Sequence, residues 1–230
     1  MNKWHKISGS LLILILSAHL LAKADSSSNN LLTNGSFDDP DEPLRGWKSN
    51  YSEANNKWYA NNHKFVSVLK RERGHTGVLC LKATPHILEF AGTKVDSAPI
   101  PVGPGGRYKL TASARSTGAG CRILLEGYRW RPGIKPHKNP ELAELRKCYK
   151  FKMLYFGSQE TGGIASVPSS WAKASRTYPD KHLSKTAQKH IDKVQFLVVH
   201  IVAIGGAYAH VPPGGYYYFY LDDMELKRIN

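Results

Sequence analysis

The sequence predicts an all-β protein, a two-sheet antiparallel β-sandwich with one short helix set in a loop. Three observations predict it. About ten short runs are rich in Val, Ile, Thr, Tyr and Phe, the residue types that suit a pleated, half-buried surface. Pro and Gly clusters such as Pro99 to Gly106 and Gly118 to Gly120 punctuate those runs and mark turns. A single segment carries a full set of helix signals, and many strands with one helix bury their apolar faces best sheet on sheet. No internal repeat and no shift in composition divides the chain, so residues 30–230 read as one domain.

Along the chain, a first strand is expected over residues 31–37, then the acidic, turn-rich loop 38–43. Residues 47–59 read as irregular strand. Strands over 65–70 and 78–83 are joined by the Gly-containing hairpin loop 71–77, and another strand is expected at 90–95. Residues 107–115 alternate Tyr108, Leu110, Ala112 and Ala114 with Arg107, Lys109, Thr111 and Ser113, the period of a strand with one face buried. A strand over 122–130 comes after it. The helix signal is Asn139 as cap, Pro140 at the first position, Glu141 and Glu144 early, and Arg146 and Lys147 late; it predicts a helix over 140–148 within a loop from 131 to 149. Strands over 151–156 and 171–178 come next, with a basic loop or short helix at 179–193. The run 195–204, the most apolar beyond residue 24, predicts a central buried strand. The final strand, 216–226, is expected to set Tyr218, Tyr220, Asp222, Met224 and Leu226 on one face and Phe219, Leu221, Asp223 and Glu225 on the other.

The two ends carry a resemblance. Asn30-Leu-Leu-Thr-Asn-Gly-Ser-Phe-Asp38, then Gly46-Trp47, then Tyr220-Leu-Asp-Asp-Met-Glu-Leu226 resemble the first and last strands of carbohydrate-binding modules of the galactose-binding-like jelly-roll type, families 4 and 9 among them. The segment 104–115 resembles that group's proline-glycine strand, and Ser170-Trp171 with residues 172–179 resembles its penultimate strand. The resemblance implies a jelly roll, non-catalytic glycan binding and a structural calcium. The implied ligands are Asp38, at the acidic position after the Asn-Gly-x-Phe motif and shorter than the usual glutamate, and Asp222 of the last strand. It also implies that Trp47 and Trp171 pack in the core. A fold of this kind hosts many functions, so the ligand must be argued from a site.

Residues 1–24 read as a secretory signal peptide: a basic start with Lys3 and Lys6, an apolar run from Leu11 to Leu21, and an Ala22-Lys23-Ala24 cleavage site. Residues 25–29 read as a polar linker, and the expected location is secreted, extracellular or periplasmic. The apolar run is short for a membrane span. The chain has 32 basic and 18 acidic residues; without Lys3, Lys6 and Lys23 the basic count is 29 and the charge +11. An exported basic protein calls for an acidic partner, an anionic polysaccharide, teichoic acid or lipid headgroups rather than nucleic acid, against the plainer reading of a solvated basic surface. Cys80, Cys121 and Cys148 show no zinc-site spacing; a Cys80–Cys121 disulfide and buried free thiols both fit their strand positions.

Sugar rings stack on exposed aromatics while neighbouring polar groups fix the hydroxyls. Trp58 and Tyr59, beside Asn55, Asn56 and Lys57, and Tyr128, Arg129, Trp130 and Arg131 are the candidate glycan-binding residues; the alternative is that one aromatic of each pair is core. Arg122, Arg129, Arg131, Lys135, His137, Lys138, Lys173 and Arg176 are candidates for an anionic ligand, since guanidinium forks match carboxylate and sulfate. Catalytic residues are not expected. The sequence has no G-x-S-x-G or H-E-x-x-H motif, Asp222 and Asp223 should point to opposite faces, and Glu126 and Glu160 have no visible partner. His200, within a buried run, reads as a satisfied core histidine. The expected function is therefore non-catalytic glycan binding. The alternatives are a jelly-roll lyase using Tyr208 and His210, or a hydrolase, and a structural or protein-interaction sandwich.

Overall fold

The computed structural model describes residues 29–49, 61–156, 163–179, 185–206 and 215–229. The segment 1–24, Trp58, Tyr59, Glu160, Tyr208 and His210 lie outside the described residues. Two antiparallel sheets face each other across one core. The first has the order β1 (Trp47–Lys48), β4 (Thr93–Ser97), β10 (Phe196–Gly206), β7 (Ala119–Trp130), β8 (Cys148–Tyr155), with β5 (Ile100–Pro101) also paired to β10. The second has the order β2 (Val66–Glu72), β3 (His75–Ala83), β11 (Tyr217–Arg228), β6 (Tyr108–Ser116), β9 (Ala172–Tyr178). The fold is a β-sandwich of jelly-roll type. No helix among the described residues is long and apolar enough to cross a membrane.

The strand alternation builds the core. Val95, Ile123, Leu125, Leu197, Val199 and Ile201 from the first sheet meet Leu79, Leu81, Leu110, Phe219, Leu221 and Met224 from the second. All are buried, and each such side chain removed from water contributes about 1.5–3 kcal/mol. The apolar run at 195–204 is a central strand, paired on one side to β4 and on the other to β7.

Several expectations are corrected. Residues 31–37 form turns, with Asn34 and Phe37 at φ 49° and 54°. This segment still ties the two ends together, since Leu31 N–H donates to the Leu226 carbonyl at 2.8 Å and Met224 N–H to the Gly35 carbonyl at 2.9 Å. The strand expected at 90–95 starts later, because Pro85–Phe90 is a helix, α1, capped by the Thr84 side chain accepting from Ile87 N–H at 3.3 Å. Thr-Pro is a cap followed by the first helical position, and that signal was in the sequence. The helix expected at 140–148 is a 3-10 turn, Leu142–Lys147, whose cap is Glu141 rather than Asn139: Glu141 and Glu144 form a reciprocal capping box. A second helix, α2, spans Lys185–Ile191. The hairpin loop at 71–77 shrinks to Arg73 and Gly74, both at positive φ (46° and 91°), as a two-residue turn matched to strand twist requires. The three cysteines are free and buried; Cys121 faces the core between the sheets while Cys80 packs with Val78 and Tyr220 outside it, so no bridge joins them.

The largest correction concerns β11. Pairing with β6 runs Asp222 opposite Ser113 and then Glu225 opposite Thr111, so one residue too many lies on β11 between those pairs. Asp223 takes it up at φ 50°. This β-bulge resets the alternation. Phe219, Leu221, Met224 and Leu226 all face the core, while Tyr220 joins the small cluster on the outer face. Asp222 is therefore separated from Met224 and Leu226, with which strict alternation grouped it.

Candidate functional site

The outer face of the first sheet carries a groove of about 580 Å³. Its floor comes from the side chains that alternate away from the core: Lys94 and Asp96 of β4, His200 and Val202 of β10, Arg122, Leu124, Glu126 and Tyr128 of β7, and Cys148 and Lys150 of β8. The 3-10 turn walls one end with Leu142, Leu145 and Arg146, and Lys48 and Arg131 complete the rim. Trp130 holds that wall in place. Its indole N–H donates to the His137 carbonyl at 3.3 Å, its ring packs edge-on against Phe196 with centroids 5.8 Å apart, and it shares a cluster with Leu145.

A buried polar chain crosses the floor. Lys94 Nζ lies 2.9 Å from Asp96, and Asp96 lies 2.6 Å from His200 Nδ1. On the other side of the ring His200 Nε2 lies 3.0 Å from Glu126 Oε2, close enough to attract but off the axis of a hydrogen bond. Glu126 also accepts from the Tyr128 hydroxyl at 2.5 Å and meets Lys150 Nζ at 3.1 Å. Strand pairing makes the chain: His200 sits opposite Asp96 on one side and next to the Glu126 register on the other.

Charge sets the proton positions. Burial pushes the His200 ring towards neutrality, but the two carboxylates outweigh it and raise its pKa, which favours the protonated ring. Burial pushes Asp96 up, and His200 and Lys94 overcome it and hold the carboxyl below its ordinary range. Glu126 follows the same logic: against burial, His200, Tyr128 and Lys150 bring it down to about 2. The Tyr128 hydroxyl is pushed far up, first by burial and then by donating to Glu126.

The lining is cationic in sum. Lys48, Lys94, Arg122, Arg131, Arg146 and Lys150 line the groove together with two carboxylates, Asp96 and Glu126, which are bound to His200, Lys94 and Lys150. Arg122 stands out among them. It lies mid-sheet, opposite Val202, makes no hydrogen bond or ion pair with any described residue, and its Nε is sealed from solvent without a partner. A buried donor left unmade is costly, so the guanidinium is held on the floor at a penalty that no described side chain offsets.

The structure sorts the candidates from the sequence. Tyr128 and Trp130 do share a face, but both are buried, 7% and 8% exposed, and Trp130 is a strut rather than a platform. Arg129 points away, over the Tyr149 and Phe151 rings at 5.1 and 5.5 Å. Arg131 reaches the rim, with Nε donating to the Cys148 carbonyl at 3.3 Å. Of the anionic-ligand candidates, Arg122 and Arg131 enter the groove; Lys135, His137 and Lys138 are exposed on the loop beyond it, and Lys173 and Arg176 sit on β9 in the other sheet. Asp96, Lys94 and Lys150 were not singled out from sequence, and Glu126 showed no partner there. The only signal was the alternation Arg122, Leu124, Glu126, Tyr128 on one face.

Trp47 is in the core, tilted against Phe37 with ring centroids 5.2 Å apart. Trp171 is not; it is half-buried outside the second sheet, stacked on His75 at 4.0 Å. The two residues expected to hold calcium have these surroundings. Asp38 is exposed, with Oδ1 against Gly77. Asp222 accepts from its neighbour's Asp223 N–H at 2.6 Å and meets His75 Nδ1 at 2.8 Å.

No protein-family profile and no curated protein matches the chain. Solved structures do. The chain is similar in fold to carbohydrate-binding modules. One is the N-terminal cellulose-binding domain of β-1,4-glucanase C from Cellulomonas fimi, with 15% identity and a TM-score of 0.45 over 86% of this chain and 97% of that one. Another is the xylan-binding CBM22-2 domain of Paenibacillus barcinonensis Xyn10C, with 10% identity and a TM-score of 0.43 over 85% and 98%. A third is the Clostridium thermocellum xylanase 10B CBM22-1–GH10 structure complexed with xylohexaose, with 10% identity and a TM-score of 0.44 over 88% of this chain and 28% of that one. The likeness is one of architecture, and the ligand has to be argued from the groove.

Proposed function

We propose that this chain is a secreted, non-catalytic glycan-binding protein that takes a segment of anionic polysaccharide into the groove on the first sheet. The observation that carries the reading is Arg122, a half-buried guanidinium on the groove floor with no partner among the described residues. A uronate carboxylate or a sulfate supplies the two coplanar acceptors that a guanidinium fork matches. Lys48, Arg131 and Arg146 at the rim then meet neighbouring charges of the polymer, and the partly buried Leu142 offers apolar contact to the sugar ring. A neutral glycan finds less here, because Tyr128 and Trp130 present little open ring face.

The same geometry weighs against catalysis. Glycoside hydrolysis needs one carboxyl kept protonated as acid, whereas Asp96 and Glu126 are both held below their ordinary range. A β-eliminating lyase needs a base, and in this groove His200 lies between two carboxylates that favour its protonated form while the Tyr128 phenol is pushed up.

The test is titration calorimetry of the purified chain with polygalacturonate, alginate, and neutral xylan and cellulose oligomers. Binding to a uronate polymer is expected, reduced at least tenfold in Arg122→Ala, since truncating one member of a desolvated charge contact typically removes about 2 kcal/mol or more. Lys138→Ala, which removes the same charge from the exposed loop, is expected to leave affinity within about twofold. Equal losses in the two variants mean that only the basic surface binds. Tighter binding of a neutral xylan or glucan, indifferent to Arg122, refutes the reading.

A further inference from the structure

The β-bulge has a second consequence, on the opposite side of the molecule from the groove. Asp222 and Asp223 are sequence neighbours and on a regular strand would point to opposite faces. Because Asp223 sits at φ 50°, both carboxylates reach one histidine. His75, at the start of β3, has Nδ1 2.8 Å from Asp222 Oδ2 and 3.9 Å from Asp223 Oδ2. The three ligand atoms lie within 4.8 Å of one another, and they form the one such group among the described residues.

The surroundings orient each member. Asp222 Oδ1 is occupied by the Asp223 N–H at 2.6 Å, which turns Oδ2 towards His75. Ser113 donates to Asp223 Oδ2 at 3.3 Å and fixes that carboxylate from the neighbouring strand. Trp171 stacks on the imidazole with centroids 4.0 Å apart and planes 27° from parallel, which sets the ring plane. Asp222 is almost fully buried, while the Asp223 side chain is 56% exposed. The group is thus open to solvent on one side and closed by protein on the others.

We propose that His75, Asp222 and Asp223 form a binding site for a divalent transition ion of the zinc type. One imidazole nitrogen with two carboxylate oxygens is a borderline donor set, suited to zinc and its neighbours and ill suited to calcium or magnesium, which take oxygen alone. Ligand atoms about 2.0–2.2 Å from a tetrahedral ion lie roughly 3.3–3.6 Å apart. The separations from His75 Nδ1, 2.8 and 3.9 Å, bracket that distance, and all three atoms lie within 4.8 Å of one another, so side-chain rotation closes the shell, with a fourth position left to water on the Asp223 side. The ion takes the place of the proton between His75 and Asp222, which is released on binding.

Trp171 provides a reporter. The tag-free chain is titrated with Zn2+ by calorimetry and with Co2+ while indole fluorescence is followed. The expected result is one equivalent of Zn2+ bound and quenching by Co2+ that Trp171→Phe abolishes without removing Zn2+ binding. Asp223→Asn removes one ligand at an exposed position and keeps the His75–Asp222 contact, so the fold persists; its Zn2+ affinity is expected to fall at least tenfold, and His75→Gln is expected to bind still more weakly. Absence of Zn2+ binding, or binding unchanged in Asp223→Asn, overturns the proposal. Tighter binding of Ca2+ than of Zn2+ overturns it too and points back to the oxygen-ligand site expected from Asp38 and Asp222.

Discussion

Replacing His200 with alanine removes the cation from between two buried carboxylates. Asp96 keeps Lys94 at 2.9 Å and Glu126 keeps Lys150 at 3.1 Å, but the charge between them is gone. Removing one partner of a buried ion pair costs about 3–5 kcal/mol. The Glu126 shift gives an independent scale: a fall from 4.5 to about 2 corresponds to roughly 3 kcal/mol at about 1.4 kcal/mol per unit. For a chain of this size each kcal/mol moves Tm by about 2–4 °C, so His200→Ala is expected to melt roughly 6–20 °C lower at pH 7. The pH dependence carries the sharper test. The raised pKa of His200 adds stability that is complete below about 6.5 and is lost as pH rises through the folded value. The lowered pKa of Glu126 adds stability that is complete above about 4.5 and is lost as pH falls towards 2. Circular-dichroism melts from pH 3 to 10 should show both losses in the parent chain, and the alkaline one should vanish in His200→Ala. A variant that melts within about 2 °C of the parent at pH 7, or that keeps the alkaline loss, refutes the assignment of His200 as a buried cation.

Trp130→Ala should cost about 3–5 kcal/mol as a buried aromatic deletion and should also free the 131–147 loop, read as faster amide exchange at Leu145 and weaker polymer binding. Gly35→Ala would put a Cβ 2.2 Å from the Met224 carbonyl oxygen, so the N-terminal segment must part from β11; a Tm drop of more than about 4 °C is expected by calorimetry, and no drop would mean that the two ends are not packed together. The three buried thiols should resist a thiol reagent at pH 8 and all react in denaturant, since burial raises Cys80 to about 11 and Cys121 to about 12; two reactive thiols fewer than the three expected in denaturant would reveal a disulfide.

Much of the architecture was legible because it rests on local pattern. Alternation over 107–115 became β6, with Tyr108, Leu110 and Ala112 buried, and the apolar run at 195–204 became the central strand. Both depend only on the two-residue period of a strand and on what water excludes. The errors arose where a local signal had two readings. Thr84-Pro85 began a helix in a segment where no element was expected, and that helix delayed the strand expected at 90–95 to Thr93. Glu141 won the cap from Asn139 because its partner Glu144 closes the box.

The groove and the metal-ligand cluster were decided elsewhere. Asp96, Glu126 and His200 are far apart along the chain and adjacent in the sheet, through pairing that no single strand encodes. Arg122 could be named from sequence as a cation, but its isolation on the groove floor is a property of its neighbours. Trp130 could be named as an aromatic, and only the loop folded against it made it a strut. At β11 the outcome turned on one residue: the bulge at Asp223 uncoupled Asp222 from Met224 and set two carboxylates beside His75. The sequence by itself determined most of the long strands and that the chain is basic, because hydrophobic periodicity and charge are properties of the chain alone. Register, bulge and the partner of each charge belong to the tertiary structure, because they depend on which strands lie side by side.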